Sequence, residues 1–325
     1  MVEKIIDDWQ NKDGRNYLVD MLKGMAIILM ILDHVLMKGR IITSFHMPVF
    51  FVLAGCYLRT DSVGDTIISK AKSLLVPYAL IGSVTIIIGF FRLMMGYGYT
   101  ANAAITVSLN RFYGLLVGED VWLLWFFVVL FLAEIFYVIL VNTIGRNNWI
   151  RWSVILLLNL IGYQLSCRFD SIPWRVDTAL ICICFVAVGC ELKKYFQKMM
   201  HMIFPCVAGT LIWCFGLPHT KLVLSMGAYE GYPFCIIVAL AGVLTAAYLC
   251  SFLYRFTIIR NFLTFFGKNT ITVVAIQNIC RQFMHWEQMV ENVGYITMFV
   301  LQMIISCVAI IGINYLKKSL LYIKS

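Results

Sequence analysis

Long apolar runs decide what this chain can fold into. Val121 to Leu132 and Ile155 to Ile161 are nearly unbroken Leu, Ile, Val, Phe and Trp, and they belong to about ten such stretches: 20–37, 42–58, 73–95, 121–143, 151–167, 174–191, 201–217, 232–254, 270–286 and 294–316. A helix of roughly 20 apolar residues crosses a hydrocarbon core of about 30 Å. The runs are too long and uniform for the strands of a soluble sheet, and the period-two alternation of a membrane barrel is absent. Lipid offers the backbone no hydrogen-bond partner, so helices that satisfy their own amides are the expected solution. Composition agrees: 61% of the 325 residues are hydrophobic and 13% charged, where a soluble domain has about 45–50% and about 25%. The expected fold is an all-α polytopic membrane protein, a bundle of about ten transmembrane helices. A soluble enzyme, a disulfide-stapled secreted module and a disordered chain are excluded.

The formal charge of +9 invites a nucleic-acid reading, which the placement of the charges removes. With the N-terminus inside and the spans alternating, 17 of the 26 Lys and Arg residues fall on the inner side and 8 on the outer side or its helix ends, leaving Lys23 within the first span. This is the positive-inside bias, and it predicts that both termini are cytoplasmic. No basic patch with interleaved aromatics remains for nucleic acid. The expected organisation is a cytoplasmic segment over 1–19, a transmembrane domain over 20–316 and a cytoplasmic tail over 317–325. The first 19 residues are polar and mixed in charge, unlike a signal peptide, so the first span is expected to be retained. The eleven cysteines lie mostly within spans, where they serve as small apolar residues, and no ligand-spaced Cys/His cluster points to a metal.

Ionisable groups inside a span cost at least about 2.5–3.5 kcal/mol each, so each calls for a partner or a task. The first span holds Asp20, Lys23, Asp33 and His34. Eleven residues separate Lys23 from His34, about 20° beyond three helical turns, so the two share a face roughly 16 Å apart along the axis. Asp20 lies within about 40° of His34 on the same wheel. Such a stripe must face the bundle interior or a water-filled cavity. The plainer alternatives are a Lys23 that snorkels to the interface and a His34 that bonds a carbonyl there. Glu134 lies midway along the fourth span, either functional or protonated against a neighbouring helix. Gln277 and Asn278 read as interhelical hydrogen-bond donors, and Trp149, Trp152 and Trp174 as interfacial anchors.

Asp20-x-x-Lys23-Gly-(x)9-His34, followed by Phe45-His46-Met47-Pro48-x-Phe50-Phe51-x-x-x-Gly55, resembles the membrane acyltransferase family 3, in the branch that includes fucose 4-O-acetylase-like proteins. Lys23 and His34 match that family's basic-x10-His motif. Lys70-x-Lys72 through Pro77-Tyr78, Leu124-Trp125-Phe126, Ile172-Pro173-Trp174 through Gly189, and Gly267-Lys268-Asn269-Thr270 fit in order. The resemblance implies transfer of an acyl group, usually acetyl from acetyl-CoA, to a hydroxyl of a cell-surface or lipid-linked glycan, with no metal. His34 would be the general base, since imidazole titrates near working pH. Asp33, about 100° around the helix from His34, or a carboxylate brought in from another helix would orient the ring, and Lys23 would anchor the donor or balance charge. Lys70, Lys72, Lys268 and Arg59 suit the donor phosphates by charge, or are simply topogenic. His46, Trp125, Glu134 and Asp20 are expected to line the substrate space, with capping of the second helix as the other reading of His46. Acceptor contacts are expected from the outer connections 96–120 and 217–231. The implied setting is the cytoplasmic membrane of a prokaryotic cell, with acyl-CoA, the glycan and lipid as partners and the oligomeric state open. Two other classes fit the polar stripe: a transporter or flippase of a lipid-linked sugar, and a non-catalytic membrane sensing module.

Overall fold

Charge within an apolar helix demands shielding, and the helix that carries Asp20, Lys23, Asp33 and His34 is half buried. In the computed structural model α1 (Tyr17–Leu36) has half of its 20 residues buried, among them Leu18, Met21, Ile27 and Ile31. The structure describes residues 16–36, 39–118, 122–145, 147–193, 195, 202–283 and 292–324. Lys38, Glu119, Asp120, Arg146, Lys194, Lys198 and the first 15 residues therefore lie outside the described residues. The Asn16 side chain opens α1 by accepting the Leu18 amide at 2.9 Å, which meets one of the donors a helix start leaves without a partner.

After α1 a single turn, Arg40–Thr43, leads into α2 (His46–Tyr57). Ser62 caps α3 (Val63–Gly96), a 34-residue helix with a π turn at Ala71–Leu75, and α4 follows (Ala101–Val117). Next come α5 (Trp125–Ile144), α6 (Asn148–Arg168), α7 (Val176–Leu192) and α8 (Ile203–Gly216). An antiparallel hairpin of β1 (Lys221–Val223) and β2 (Ala228–Glu230) pairs Lys221 with Glu230 and Leu222 with Tyr229. The chain closes with α9 (Phe234–Leu253), α10 (Thr257–Lys268), α11 (Thr270–Phe283) and α12 (Tyr295–Lys324). Among the described residues six segments are long and apolar enough to cross a membrane: Arg40–Tyr57, Val63–Gly96, Trp125–Ile144, Asn148–Arg168, Phe234–Leu253 and Tyr295–Ser319. The molecule is an all-α membrane protein with one small hairpin.

Two close crossings set the core. A methyl group on Gly55 would lie 2.1 Å from the Val186 carbonyl oxygen, and one on Gly189 would lie 2.0 Å from that of Val52. The thiol of Cys56 donates to the Gly189 carbonyl at 3.3 Å and that of Cys190 to the Gly55 carbonyl at 3.1 Å, so α2 and α7 meet through a reciprocal pair. Gly24 and Gly267 repeat the arrangement between α1 and α10, with 1.9 Å to the Leu263 oxygen and 1.7 Å to the Asp20 oxygen. Small residues let helix backbones approach where lipid supplies no hydrophobic drive. Gln277 donates to Ser306 at 3.2 Å and Asn278 to Thr85 at 2.9 Å, which ties α11 to α12 and α3.

The helices depart from the expected spans at particular places. The 96–120 connection contains α4, because Thr100 caps it and Leu115 packs against Gly82 of α3. The span expected over 270–286 belongs to a longer broken helix, since α10 precedes it and Asn269 interrupts at φ −121°, ψ 27°. The stretch 317–324 continues α12 as helix.

Candidate active site

His34 sits two residues before the end of α1, and Phe266 of α10 with Val273 and Val274 of α11 pack beside Ile27, Met30 and Ile31 below it. This side of the bundle encloses a cavity of about 810 Å³. From α1 it takes Asp33 and His34, from α2 His46 and Phe50, and from α5 Trp125 and Phe126. Gln277 and Arg281 of α11 form another wall, and Arg40 together with the hairpin residues Lys221 and Leu224 to Met226 closes the open end.

The His46 ring is fixed by its own backbone. Its Nδ1 donates to the Ile42 carbonyl at 2.7 Å, so Nε2 keeps its lone pair and can accept a proton or a hydrogen bond. The side chain does help to hold the start of α2, and it also borders the cavity. His34, His46 and Arg281 border the same cavity. Asp33 accepts the Gly39 backbone amide, which fixes the turn after α1. Phe50 and Phe126 meet edge to face at 5.4 Å and, beside Trp125, form an aromatic wall. Such a wall suits the apolar face of a sugar ring or an acyl chain.

The remaining sequence candidates lie elsewhere. Lys23 is one helical turn below Ile27, the deepest residue that α1 gives the cavity, and on the same face. Lys70 is interior to α3 and forms an ion pair with Glu134, whose side chain is fully buried, so the two are partners in the core rather than a helix-end phosphate ligand and a cavity wall. Lys72 and Arg59 are exposed. Lys268 places its ammonium 5.9 Å from the Tyr17 ring, and Arg260 lies over the rings of both Tyr17 and Tyr254 at 5.6 and 5.1 Å. The Asp20 carboxylate, one turn from Tyr17, has a buried oxygen without a hydrogen bond among the described residues, and so does Arg260 at Nε. The end of α1 opposite His34 thus carries two cations, two tyrosines and two buried polar atoms without a hydrogen bond among the described residues.

The sequence reading missed Arg281, Arg40, Lys221 and Arg260 as site residues, having counted them only as topological charges. For Arg281 a signal existed: it lies one helical turn from Gln277 on α11.

A family model for an acyltransferase domain matches residues 16–317. The chain belongs to acyltransferase family 3. No curated relative and no solved structure matches it. In this membrane acyltransferase the match covers α1 through α11 and most of α12, so every element that walls the cavity lies within it.

Proposed function

We propose that this acyltransferase moves an acetyl group from acetyl-CoA to a hydroxyl of a cell-surface or lipid-linked glycan, with the donor entering at the Tyr17 end of α1 and the acceptor at the His34 end. The observation that carries the reading is the meeting of His34 and His46 in one cavity whose wall is aromatic. The cations Arg260 and Lys268 beside Tyr17 suit the donor phosphates by charge, and Tyr254 with Tyr17 offers rings for the nucleobase. His34 lies 17 residues from Tyr17, roughly 25 Å along the helix and about 100° around it, so the pantetheine arm would have to wind around α1 past Lys23 to bring the thioester to the cavity.

In the reaction His34 takes the proton of the acceptor hydroxyl while its oxygen attacks the thioester carbonyl carbon. The carbon–sulfur bond breaks, and the CoA thiolate leaves with the proton that His34 returns. The products are the acetyl ester and free CoA. His46 accepts a hydrogen bond at Nε2 and holds the acceptor hydroxyl or the His34 ring in line. General-base assistance is worth about 10²–10⁴ in rate. The fucose 4-O-acetylase-like motifs of the first two helices favour a sugar acceptor, and the positive-inside charge pattern favours an outer position for the His34 end.

The test is release of free CoA thiol from acetyl-CoA by the purified protein in nanodiscs, with mass spectrometry of an alkyl glycoside acceptor. The wild type should release thiol and acetylate the glycoside together. His34→Ala should lower turnover by at least about 10² with an unchanged thermal midpoint, and His46→Ala should lower it less. Full activity of His34→Ala removes the assigned base.

A further inference from the structure

We propose that the acceptor is an anion: the sugar carries a carboxylate or a phosphate that Arg40 and Lys221 bind at the mouth of the cavity. The inference rests on the acyl-transfer reading above and narrows its substrate class. Both cations border the cavity, one just before α2 and the other on β1. They share a single carboxylate, Glu230 of β2, at 3.7 Å from Arg40 and 3.3 Å from Lys221. Asp33 and Arg281 also border the cavity, so three cations stand against the two carboxylates of Glu230 and Asp33 and the lining keeps an excess of positive charge.

The hairpin register produces this arrangement. Lys221 and Glu230 are direct partners across the two strands, so their side chains stand on the same face. Arg40 Nη1 is held by the Pro218 carbonyl at 3.0 Å, which aims the guanidinium at the same carboxylate. The side chains of Glu230, Arg40 and Lys221 are 57%, 47% and 42% exposed, and exposed ion pairs are weak. An incoming anion can therefore take over the two cations, and a guanidinium offers paired donors that match carboxylate or phosphate oxygens. Aromatic side chains deeper in the cavity meet the uncharged part of the ligand, so the space is built for a hydroxylated molecule with one charged end.

The experiment measures binding of three probes of equal chain length to the full protein in nanodiscs: octyl glucoside, octyl glucuronide and octyl glucosyl phosphate. It then measures acetyl transfer to each. At least tenfold tighter binding of one or both charged glycosides over octyl glucoside is expected, and the probe that gains most tells carboxylate from phosphate. The Arg40→Gln/Lys221→Gln variant should shrink that ratio at least fivefold. Glu230→Gln, which removes the shared carboxylate and keeps both cations, should widen it. Equal binding of the three probes by the wild type, or a ratio untouched by both variants, overturns the proposal. Binding that prefers the charged glycosides without acetyl transfer to any of them would count against the acyl-transfer reading and leave the charge preference standing.

Discussion

Lys70 and Glu134 lie 64 positions apart, and the structure makes them one unit. The Glu134 side chain is fully buried and that of Lys70 is 23% exposed. Removing one partner leaves a buried charge alone, which costs about 3–5 kcal/mol, whereas replacing both by apolar groups is often neutral. Lys70→Met should therefore lower the unfolding midpoint of the detergent-solubilised protein sharply. The Lys70→Met/Glu134→Leu pair should recover most of the loss and keep acetyl transfer. A double variant as unstable as the single one would show that the charges do more than neutralise each other. The sequence alone marked Glu134 as a mid-span carboxylate in need of a partner. It could not supply the partner, because Lys70 looked like a residue at a helix end until the helix was seen to start at Val63. His34 and Lys23 could be placed relative to each other from one helix's periodicity, but their relation to Arg281 depends on the packing of α11 against α1.

Arg175 ties the turn of the hairpin to the start of α7. Trp174 and Arg175 both adopt left-handed backbone, at φ 58° and 48°, a conformation costly for residues other than glycine. It is kept by contacts on each side: Trp174 Nε1 donates to the Leu116 carbonyl at 2.8 Å, and Arg175 reaches the Ser225 carbonyl at 2.5 Å and Thr178 at 3.0 Å. Asp177 stands 3.5 Å from Arg175 and accepts a hydrogen bond from Ser166, while Tyr229 of the hairpin donates to Thr178 at 3.2 Å. Leu224, Ser225 and Met226 border the cavity, so this network sets the position of its roof. Arg175→Gln should raise the KM for the acceptor several-fold with little change in the KM for acetyl-CoA, and Arg175→Lys should recover part of the loss. Equal changes in both constants would mean that Arg175 supports the whole bundle and not the roof. The 217–231 connection was legible as a place for acceptor contacts from its length and polarity. Its strands and its bond to α7 were not, since three-residue strands carry almost no periodic signal.

At the scale of the molecule, the class of fold was readable because lipid admits few backbone solutions, and apolar runs of helical length leave one of them. Which helix stands at the centre was less legible. Ile42 to Leu58 and Val121 to Val141 are more uniformly apolar than α1, yet α1 contacts α2, α9, α10, α11 and α12. Its charges, which lower its hydropathy, mark it as the helix that neighbours must cover. The distribution of Lys and Arg then orients the bundle. With the Tyr17 end cytoplasmic, Arg59 follows α2 on the inner side and Met226, 80% exposed at the tip of the hairpin, stands outside. Single cysteines at these positions, in a background where the exposed Cys167 and Cys214 are serine, can be read with a membrane-impermeant maleimide. Met226→Cys should label in intact cells, and Arg59→Cys only after permeabilisation. On the proposed function this labelling pattern would put a cytosolic acyl-CoA at the Arg260 and Lys268 end and the glycan at the His34 end. The reverse labelling pattern would place the hairpin mouth on the donor side. Arg40 and Lys221 would then face CoA phosphates, and transfer would be confined to acceptors on the cytosolic leaflet.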